Sequence, residues 1–274
     1  MHGNESPFWP HSWADPSCQR HGKPRVEGLT MVIDKGLGLY AFEDMLAIAA
    51  DYVDICKLGF GTSVLYPIDL LRKKIERAKE RGVHIMPGGT FFEIAVKQAP
   101  VESYLARVKA LGFTAIEISD GTFPLSADMR RKAISLAAEA GLTVYAEFGK
   151  KDADFRAEAD ELLATLEQDL RAGAACMIVE ARESGTVGLY DEKGQVDPSF
   201  LREVSKLAGT NSTRLIWEAP KKEQQVALMQ TLGWNVNLGN IAHTDVLAVE
   251  SLRRGLRADT APLIFEQRGP APCE

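Results

Sequence analysis

Five acidic residues each follow a short apolar run that is typical of a buried β-strand. They are Asp34, Glu117, Glu147, Glu180 and Glu218. The run before Glu180, residues 176–179, is continuously apolar, which predicts a strand buried on both faces of a parallel sheet. Because ligands bind at the carboxyl ends of parallel strands, we expect the five carboxylates to converge on one site.

Carboxylates this close repel one another, so some of them must be protonated, paired with a basic side chain or bound to a cation. Hard oxygen ligands without an accompanying pair of Cys or His residues favour Mg²⁺ over zinc. We expect Asp34, Glu117, Glu180 and Glu218 to be the metal ligands. The alternative is that individual acids form only structural ion pairs with lysine or arginine.

Basic residues follow the same predicted strands. They are Lys35, Lys57, Lys150, Lys151, Arg182 and Lys221. This combination predicts a small substrate that carries several negative charges and is held through a metal. The turn Gly88, Gly89 and Thr90 would offer backbone N–H groups to an anion, or it is a plain turn. The loops that contain Lys221 and Asn240 are where barrels often bind phosphate.

Lys57, at the end of the second predicted strand, has a second possible role. It would form a Schiff base with a carbonyl substrate, as in barrel aldolases. Such a lysine needs a depressed pKa, which a nearby carboxylate would oppose. Asp54 lies three residues back along the strand and is expected to point to the opposite face. The sequence leaves both roles of Lys57 open.

The elements that must position these side chains alternate between strand and helix over residues 29–260. Eight strand–helix units are predicted, and glycines such as Gly112 and Gly173 separate each helix from the next strand. Eight units in 274 residues favour a single-domain α/β fold, the (β/α)8 TIM barrel. An open, doubly wound sheet is the alternative. No G-x-G-x-x-G or Walker A loop is present, which argues against nucleotide binding.

The composition excludes several classes of partner. A net charge of −6 and a pI near 5.5 argue against nucleic acid and anionic membranes, and no apolar run has the length of a membrane span. Four scattered cysteines and the lack of a signal peptide favour reduced thiols and a cytoplasmic location. Residues 1–28 are predicted as an irregular arm and 261–274 as a C-terminal tail. The arm and a broad apolar surface favour a homo-oligomer.

Nine segments that carry these residues resemble one known family, the phosphosulfolactate synthases. The segments read LTMVIDKG, DICKLGFGTS, PGGTFFE, IEISDGT, AEFGKK, IVEARESG, IWEAPKKEQQ, NVNLGNI and LRRGLRADT. They follow one another in unbroken order over residues 28–260. Departures are small: Phe60 stands where the family often has Trp, and Gly239 where it often has Ala.

The resemblance implies a carbon–sulfur lyase, a Mg²⁺-dependent TIM barrel that adds sulfite to phosphoenolpyruvate and gives (2R)-2-O-phospho-3-sulfolactate. The product would enter coenzyme M biosynthesis or other sulfonate metabolism. The resemblance places the general acid at Lys151 or Lys150, of which we expect Lys151, and we assign Glu147 to the same catalytic group. Phosphate and sulfite binding is assigned to Lys35, Lys57, Gly89, Thr90, Arg182, Asn240 and Arg257. Two alternatives are a related barrel enzyme with another nucleophile or enol phosphate, and a non-catalytic barrel protein like the plant heat-stress branch.

Overall fold

The structure, a computed structural model, describes residues 8–150, 155, 157–181, 184–186 and 189–268. Two residues singled out from the sequence, Lys151 and Arg182, lie outside these ranges. Within the part of the chain that is described, no helix is both long enough and apolar enough to cross a membrane.

Eight parallel strands form one sheet. Their bounds are β1 Thr30–Asp34, β2 Ile55–Leu58, β3 His84–Pro87, β4 Ala115–Ile118, β5 Thr143–Phe148, β6 Cys176–Val179, β7 Leu215–Glu218 and β8 Asn237–Ala242. The strand order is β3-β2-β1-β8-β7-β6-β5-β4. The backbone N–H of Thr114, just before β4, donates to the carbonyl of Ile85 in β3 at 3.3 Å. The sheet is therefore a nearly closed barrel, which confirms the predicted TIM barrel and excludes the open sheet.

Helices alternate with the strands. Their bounds are α1 His11–Ala14, α2 Leu39–Ala49, α3 Ile68–Glu80, α4 Gly89–Val96, α5 Val101–Leu111, α6 Ala127–Glu139, α7 Ala159–Ala172, α8 Pro198–Ala208, α9 Lys222–Leu232, α10 Val246–Arg254 and α11 Ala261–Arg268. Four of these are not predicted by the sequence pattern. The extra helices are α1, a short helix in the segment predicted as an irregular arm, α4, which starts directly after β3, α8, which completes the sixth unit, and α11, in the segment predicted as a tail.

Helix ends follow the predicted capping residues. The Ser126 side chain accepts a hydrogen bond from the backbone N–H of Met129 at 3.2 Å, which caps α6. Gly112 and Gly173 end α5 and α7 with φ angles of 92° and 112°, a left-handed conformation that side chains disfavour. These caps turn the chain back toward the next strand, so each strand starts at the same end of the barrel.

An apolar layer fills the inside of the barrel. Its members are Leu29, Met31, Ile55, Met86, Ala115, Tyr145, Cys176, Ile178 and Ile216. Side chains alternate along a strand, so the residue two positions further on points inward as well. On five strands that next residue is charged: Lys57, Glu117, Glu147, Glu180 and Glu218. The alternation of side chains along the strands thus places five charged groups next to this apolar layer, on the side of the carboxyl ends of the strands.

The N-terminal arm packs against the opposite end of the barrel. Arg25 forms an ion pair with Asp54, just before β2, at 3.0 Å. Lys23 donates to backbone carbonyls that precede β2 and β3, among them Val53 and Gly82. Asp54 is therefore held at the far end of β2 from Lys57, and the two groups do not interact.

The cysteines are only partly as expected. Cys56 and Cys176 are free and buried within β2 and β6. Cys18, in the arm, is disulfide-bonded. The prediction that all cysteines are reduced is wrong for Cys18.

Candidate active site

One cavity of about 760 Å³ opens at the carboxyl end of the barrel. It is lined by Ile33, Lys57, Gly59, Phe60, Gly88, Gly89, Thr90, Glu117, Thr122, Glu147, Glu180, Ser184, Glu218 and Asn240. Ligand sites of a few hundred to about 1,000 Å³ accommodate small molecules, so two small anions fit here together. Four of the five predicted acids meet in this cavity, and of the predicted cations that the structure describes, Lys57 joins them.

Lys57 is the centre of the charged group. Its Nζ donates to Glu117 Oε1 at 3.0 Å and to Glu218 Oε1 at 2.9 Å, which joins β2 to β4 and β7 across the barrel. Burial alone would lower the pKa of Lys57, but Glu117, Glu218, Glu147 and Glu180 outweigh it and raise that pKa well above the ordinary value. A Schiff-base lysine must lose its proton, so the structure favours a permanent ammonium over the aldolase-like role.

The second oxygens of Glu117 and Glu218 bind backbone N–H groups. Glu218 Oε2 accepts from Ala181 N at 3.0 Å, and Glu117 Oε2 accepts from Gly89 N. A Cβ at Gly89 would collide with Ser119, so only glycine allows this close approach. The Gly89 N–H therefore serves the Glu117 carboxylate, and its predicted role in binding the substrate stays a prediction.

The buried side chains of this site carry a surplus of negative charge. Among the described residues that line it, four are glutamates and one is a lysine, which would give a formal charge of −3 if every carboxyl group were ionised. Burial, together with the charges of Glu218 and Glu147, raises the pKa of Glu180 well above its ordinary value. Burial also opposes ionisation of Glu218, but Lys57 and hydrogen bonds from Glu180 and Ala181 outweigh it and lower its pKa. Glu180 therefore holds its proton more strongly than Glu218 does.

Mg²⁺ would suit this cavity because acidic side chains outnumber basic ones among its described residues. Within the described ranges, no group of three or more Asp, Glu, His or Cys side chains has the geometry of a metal cage. Glu117 and Glu218 are already bonded to Lys57 and to the backbone. Glu147 in β5 and Glu180 directly after β6 come from neighbouring strands and line the same cavity, so their carboxylates would hold a cation together. Because Mg²⁺ usually binds one or two carboxylates and keeps water or substrate oxygens, this pair fits it.

Asp34 is separate from the four glutamates. It shares the outer face of β1 with Val32, and its carboxylate forms an ion pair with Lys74 of α3. The backbone N–H groups of Gly36 and Leu37 each donate to Asp34 Oδ1 at 2.8 Å. The expectation that five carboxylates converge is therefore corrected to four, because the inward positions of β1 are odd-numbered and Asp34 is even-numbered.

The other predicted residues are dispersed. Lys35 is exposed, and its Nζ lies 5.6 Å from the centre of the Phe60 ring at the rim of the cavity. Lys150 is exposed and lines a different groove, of about 500 Å³, between α6 and α7. Arg257 lies 3.5 Å from Asp259 and does not line the cavity. Lys221 is exposed at the start of α9.

Two residues of the cavity wall have left-handed backbones. Phe60 and Asn240 have φ angles of 54° and 53°, which are uncommon for residues other than glycine and often mark functional positions. Asn240 Oδ1 is buried and makes no hydrogen bond with any described residue. Its amide therefore has an unused acceptor in the cavity wall, and the predicted role of Asn240 in substrate binding stays a prediction.

Lys74 is among the buried cations that sequence reasoning missed. Lys74 looks like a surface lysine of α3, but it is fully buried. The signal was present: Leu71, Ile75 and Ala78 form the buried face of α3, and the helical period places Lys74 among them. A lysine on an apolar helical face should have been paired with an acid, and Asp34 is that acid.

Glu180→Gln is expected to stabilise the metal-free protein at neutral pH. Because its pKa is raised, native Glu180 keeps a proton that the unfolded chain releases above about pH 4. The free energy of unfolding of the natural protein should therefore lose a contribution as the pH rises above that value. Glutamine removes this loss and can still donate to Glu218.

Urea denaturation of both proteins in EDTA, at several pH values from about 5 to 8, measures the difference in their free energies of unfolding. The stability difference in favour of Glu180→Gln should grow with pH. Glu139→Gln, an exposed change on α6, serves as the control and should follow the natural protein. Parallel profiles for Glu180→Gln and the natural protein would show that Glu180 is not protonated.

Comparison with known proteins gives the same fold and a family. A model of the (2R)-phospho-3-sulfolactate synthase family matches residues 18–259. A phosphosulfolactate synthase from Methanothermobacter thermautotrophicus is 42% identical over 245 residues, which cover 88% of this chain and 94% of that protein. Protein HEAT-STRESS-ASSOCIATED 32 of Arabidopsis thaliana is 24% identical over 265 residues, 85% of this chain and 88% of that protein.

Solved structures extend the likeness in fold. The 3-hexulose-6-phosphate synthase from Salmonella typhimurium superposes with a TM-score of 0.54 at 14% identity. The match covers 87% of this chain and 99% of that one. At this identity the likeness concerns the barrel alone.

Proposed function

This chain belongs to the phosphosulfolactate synthase family, and on that premise we propose that it adds sulfite to phosphoenolpyruvate with the help of Mg²⁺. The product is (2R)-2-O-phospho-3-sulfolactate. The observation that carries the proposal is the buried cluster of Lys57 with four glutamates in the cavity. The higher identity to a synthase than to the plant heat-stress protein supports catalysis over a non-catalytic barrel.

The charge of the two substrates explains why a cation is needed. Phosphoenolpyruvate and sulfite are both multiply negative, and two unit charges 4 Å apart repel by about 1 kcal/mol in water. At an effective dielectric constant near 20 the repulsion rises to about 4 kcal/mol. Among the described residues of the cavity, acidic side chains outnumber the one lysine and would add to this repulsion. Substrate binding therefore requires further positive charge next to Glu147 and Glu180.

The reaction forms one carbon–sulfur bond. The sulfite sulfur attacks C3 of phosphoenolpyruvate, the C2–C3 double bond opens toward the carboxylate, and a proton is added at C2. No group leaves, so sulfite, phosphoenolpyruvate and one proton account for every atom of the product. Bound Mg²⁺ would supply a Lewis acid that stabilises negative charge on oxygen.

The residues of this chain bind, orient and protonate. Lys57 holds Glu117 and Glu218 in place, and its raised pKa makes it a poor proton donor. The acid that protonates C2 is assigned to Lys151 on the resemblance to the family. We assign the Asn240 amide and Lys35 to the anionic groups of the substrate, because one lies in the cavity wall and the other at its rim.

The same proposal covers the setting of the enzyme. We propose a carbon–sulfur lyase that works in the cytoplasm as a homo-oligomer and supplies coenzyme M biosynthesis or other sulfonate metabolism. Exposed aromatic side chains in the arm, such as Trp9 and Trp13 at 59% and 64% exposure, support self-association.

The direct experiment is to incubate the purified protein with phosphoenolpyruvate, sulfite and Mg²⁺ and to analyse the products by mass spectrometry and phosphorus NMR. We expect a phosphorylated sulfonate, and none when sulfite is omitted. Parallel reactions with other nucleophiles test the related-enzyme alternative. A folded protein that forms no sulfonate under these conditions would refute the proposed reaction.

A further inference from the structure

Lys74 is a fully buried lysine that the proposed reaction does not use. Its Nζ donates to the Asp34 carboxylate, to the Leu37 carbonyl at 2.8 Å and to the Tyr66 hydroxyl at 2.9 Å. An ammonium group has three protons, so each of them has one acceptor. The same Nζ lies 4.4 Å from the Tyr66 ring centre and 4.8 Å from that of Phe42. Lys74 is thus fixed in one position.

Asp34 uses its other oxygen to shape the loop that follows β1. Oδ1 accepts hydrogen bonds from the backbone N–H groups of Gly36 and Leu37. The Tyr66 hydroxyl lies 3.2 Å from the same oxygen and 3.2 Å from the Leu37 carbonyl. Asp34, Lys74 and Tyr66, called the loop clamp below, therefore join two βα loops, residues 35–38 and residues 59–67.

Each of these loops brings one side chain to the rim of the cavity. The first loop carries Lys35 and the second carries Phe60, and the Lys35 ammonium lies over the Phe60 ring. Phe60 also lines the cavity. The position of Lys35 relative to the cavity thus depends on how the clamp joins the two loops.

Stability alone does not explain this arrangement. Replacing a buried ion pair by apolar side chains of similar size is often neutral or stabilising, because burying two charges is costly. The clamp nonetheless places a carboxylate and an ammonium, both fully buried, at the base of the two loops whose side chains reach the rim of the cavity. A role in fixing loop geometry accounts for its location.

We infer that Asp34, Lys74 and Tyr66 are positioning residues that set the affinity for the phosphorylated substrate by holding Lys35 over Phe60. The inference rests on the proposed function in one respect, that the substrate is phosphoenolpyruvate. It assigns Asp34 a role away from the metal, consistent with its position on the outer face of β1.

The test is a double-mutant cycle on Tyr66 and Lys35. Tyr66→Phe removes the hydroxyl that joins the loops and leaves the Asp34–Lys74 pair in place. We expect it to weaken phosphoenolpyruvate binding about fivefold to tenfold, measured by calorimetry with Mg²⁺ present, with kcat nearly unchanged. In a Lys35→Met background the same change should have no further effect on the dissociation constant, because the group it positions is gone.

Arg77→Met is the matched control, since Arg77 is an exposed cation one turn along the same helix. It should leave binding unchanged. The inference is overturned if the effects of Tyr66→Phe and Lys35→Met multiply, or if Tyr66→Phe lowers kcat and not affinity. It is also overturned if the natural protein binds neither phosphoenolpyruvate nor inorganic phosphate. Binding is measured without sulfite, so an absence of turnover would refute only the proposed reaction.

Discussion

Replacing Lys57 by methionine is expected to lower the free energy of unfolding by about 3–5 kcal/mol and to abolish product formation. The change removes the ammonium that Glu117 and Glu218 share and leaves buried carboxylates without a counter-charge. The loss of stability should be smaller in acid, where these carboxylates accept protons. Urea denaturation and a product assay measure the two effects.

Two further variants show whether the charge is the cause. Lys132→Met removes a surface lysine paired with Glu102 at 2.9 Å, and it should cost less than about 1 kcal/mol. Adding Glu218→Gln to Lys57→Met should restore part of the lost stability, because one of the unpaired charges is then removed. A Lys57→Met protein that is as stable as the natural one and still makes product would contradict the role of Lys57.

Lys151→Ala is expected to slow product formation by about 10²- to 10⁴-fold while phosphoenolpyruvate still binds. The reason is that a general acid acts in the transition state and contributes little to ground-state binding. Turnover is measured by phosphorus NMR and affinity by calorimetry.

Lys150→Ala is the matched control for Lys151→Ala. Lys150 is exposed and lines the groove between α6 and α7, so its loss should change turnover little. Full turnover by Lys151→Ala would refute its role as the acid. Loss of turnover in Lys150→Ala alone would transfer that role to the neighbouring residue.

The period of the strands made most of the site predictable. Glu117, Glu147 and Glu218 each lie two residues beyond an inward-facing apolar residue, so alternation alone sends them into the cavity. Alternation failed for Asp34 because β1 is apolar on both faces, and a continuous apolar run does not show which face is inside.

The sequence did not show which charged side chains of the cavity form ion pairs with one another. Lys57 bonds Glu117 and Glu218, which belong to strands that are not its neighbours in the sheet. This choice depends on how the barrel closes and on how each strand is aligned with the next. The raised pKa of Glu180 depends in turn on its distances from Glu218 and Glu147.

In the proposed mechanism, a bound cation neutralises the acids of the cavity so that anionic substrates can enter. Calorimetric titration of phosphoenolpyruvate, with and without Mg²⁺, tests it most directly. We predict that Mg²⁺ tightens phosphoenolpyruvate binding by about 100-fold, and that phosphoenolpyruvate tightens Mg²⁺ binding by the same factor. The same dissociation constant for phosphoenolpyruvate in EDTA and in Mg²⁺ would contradict the account.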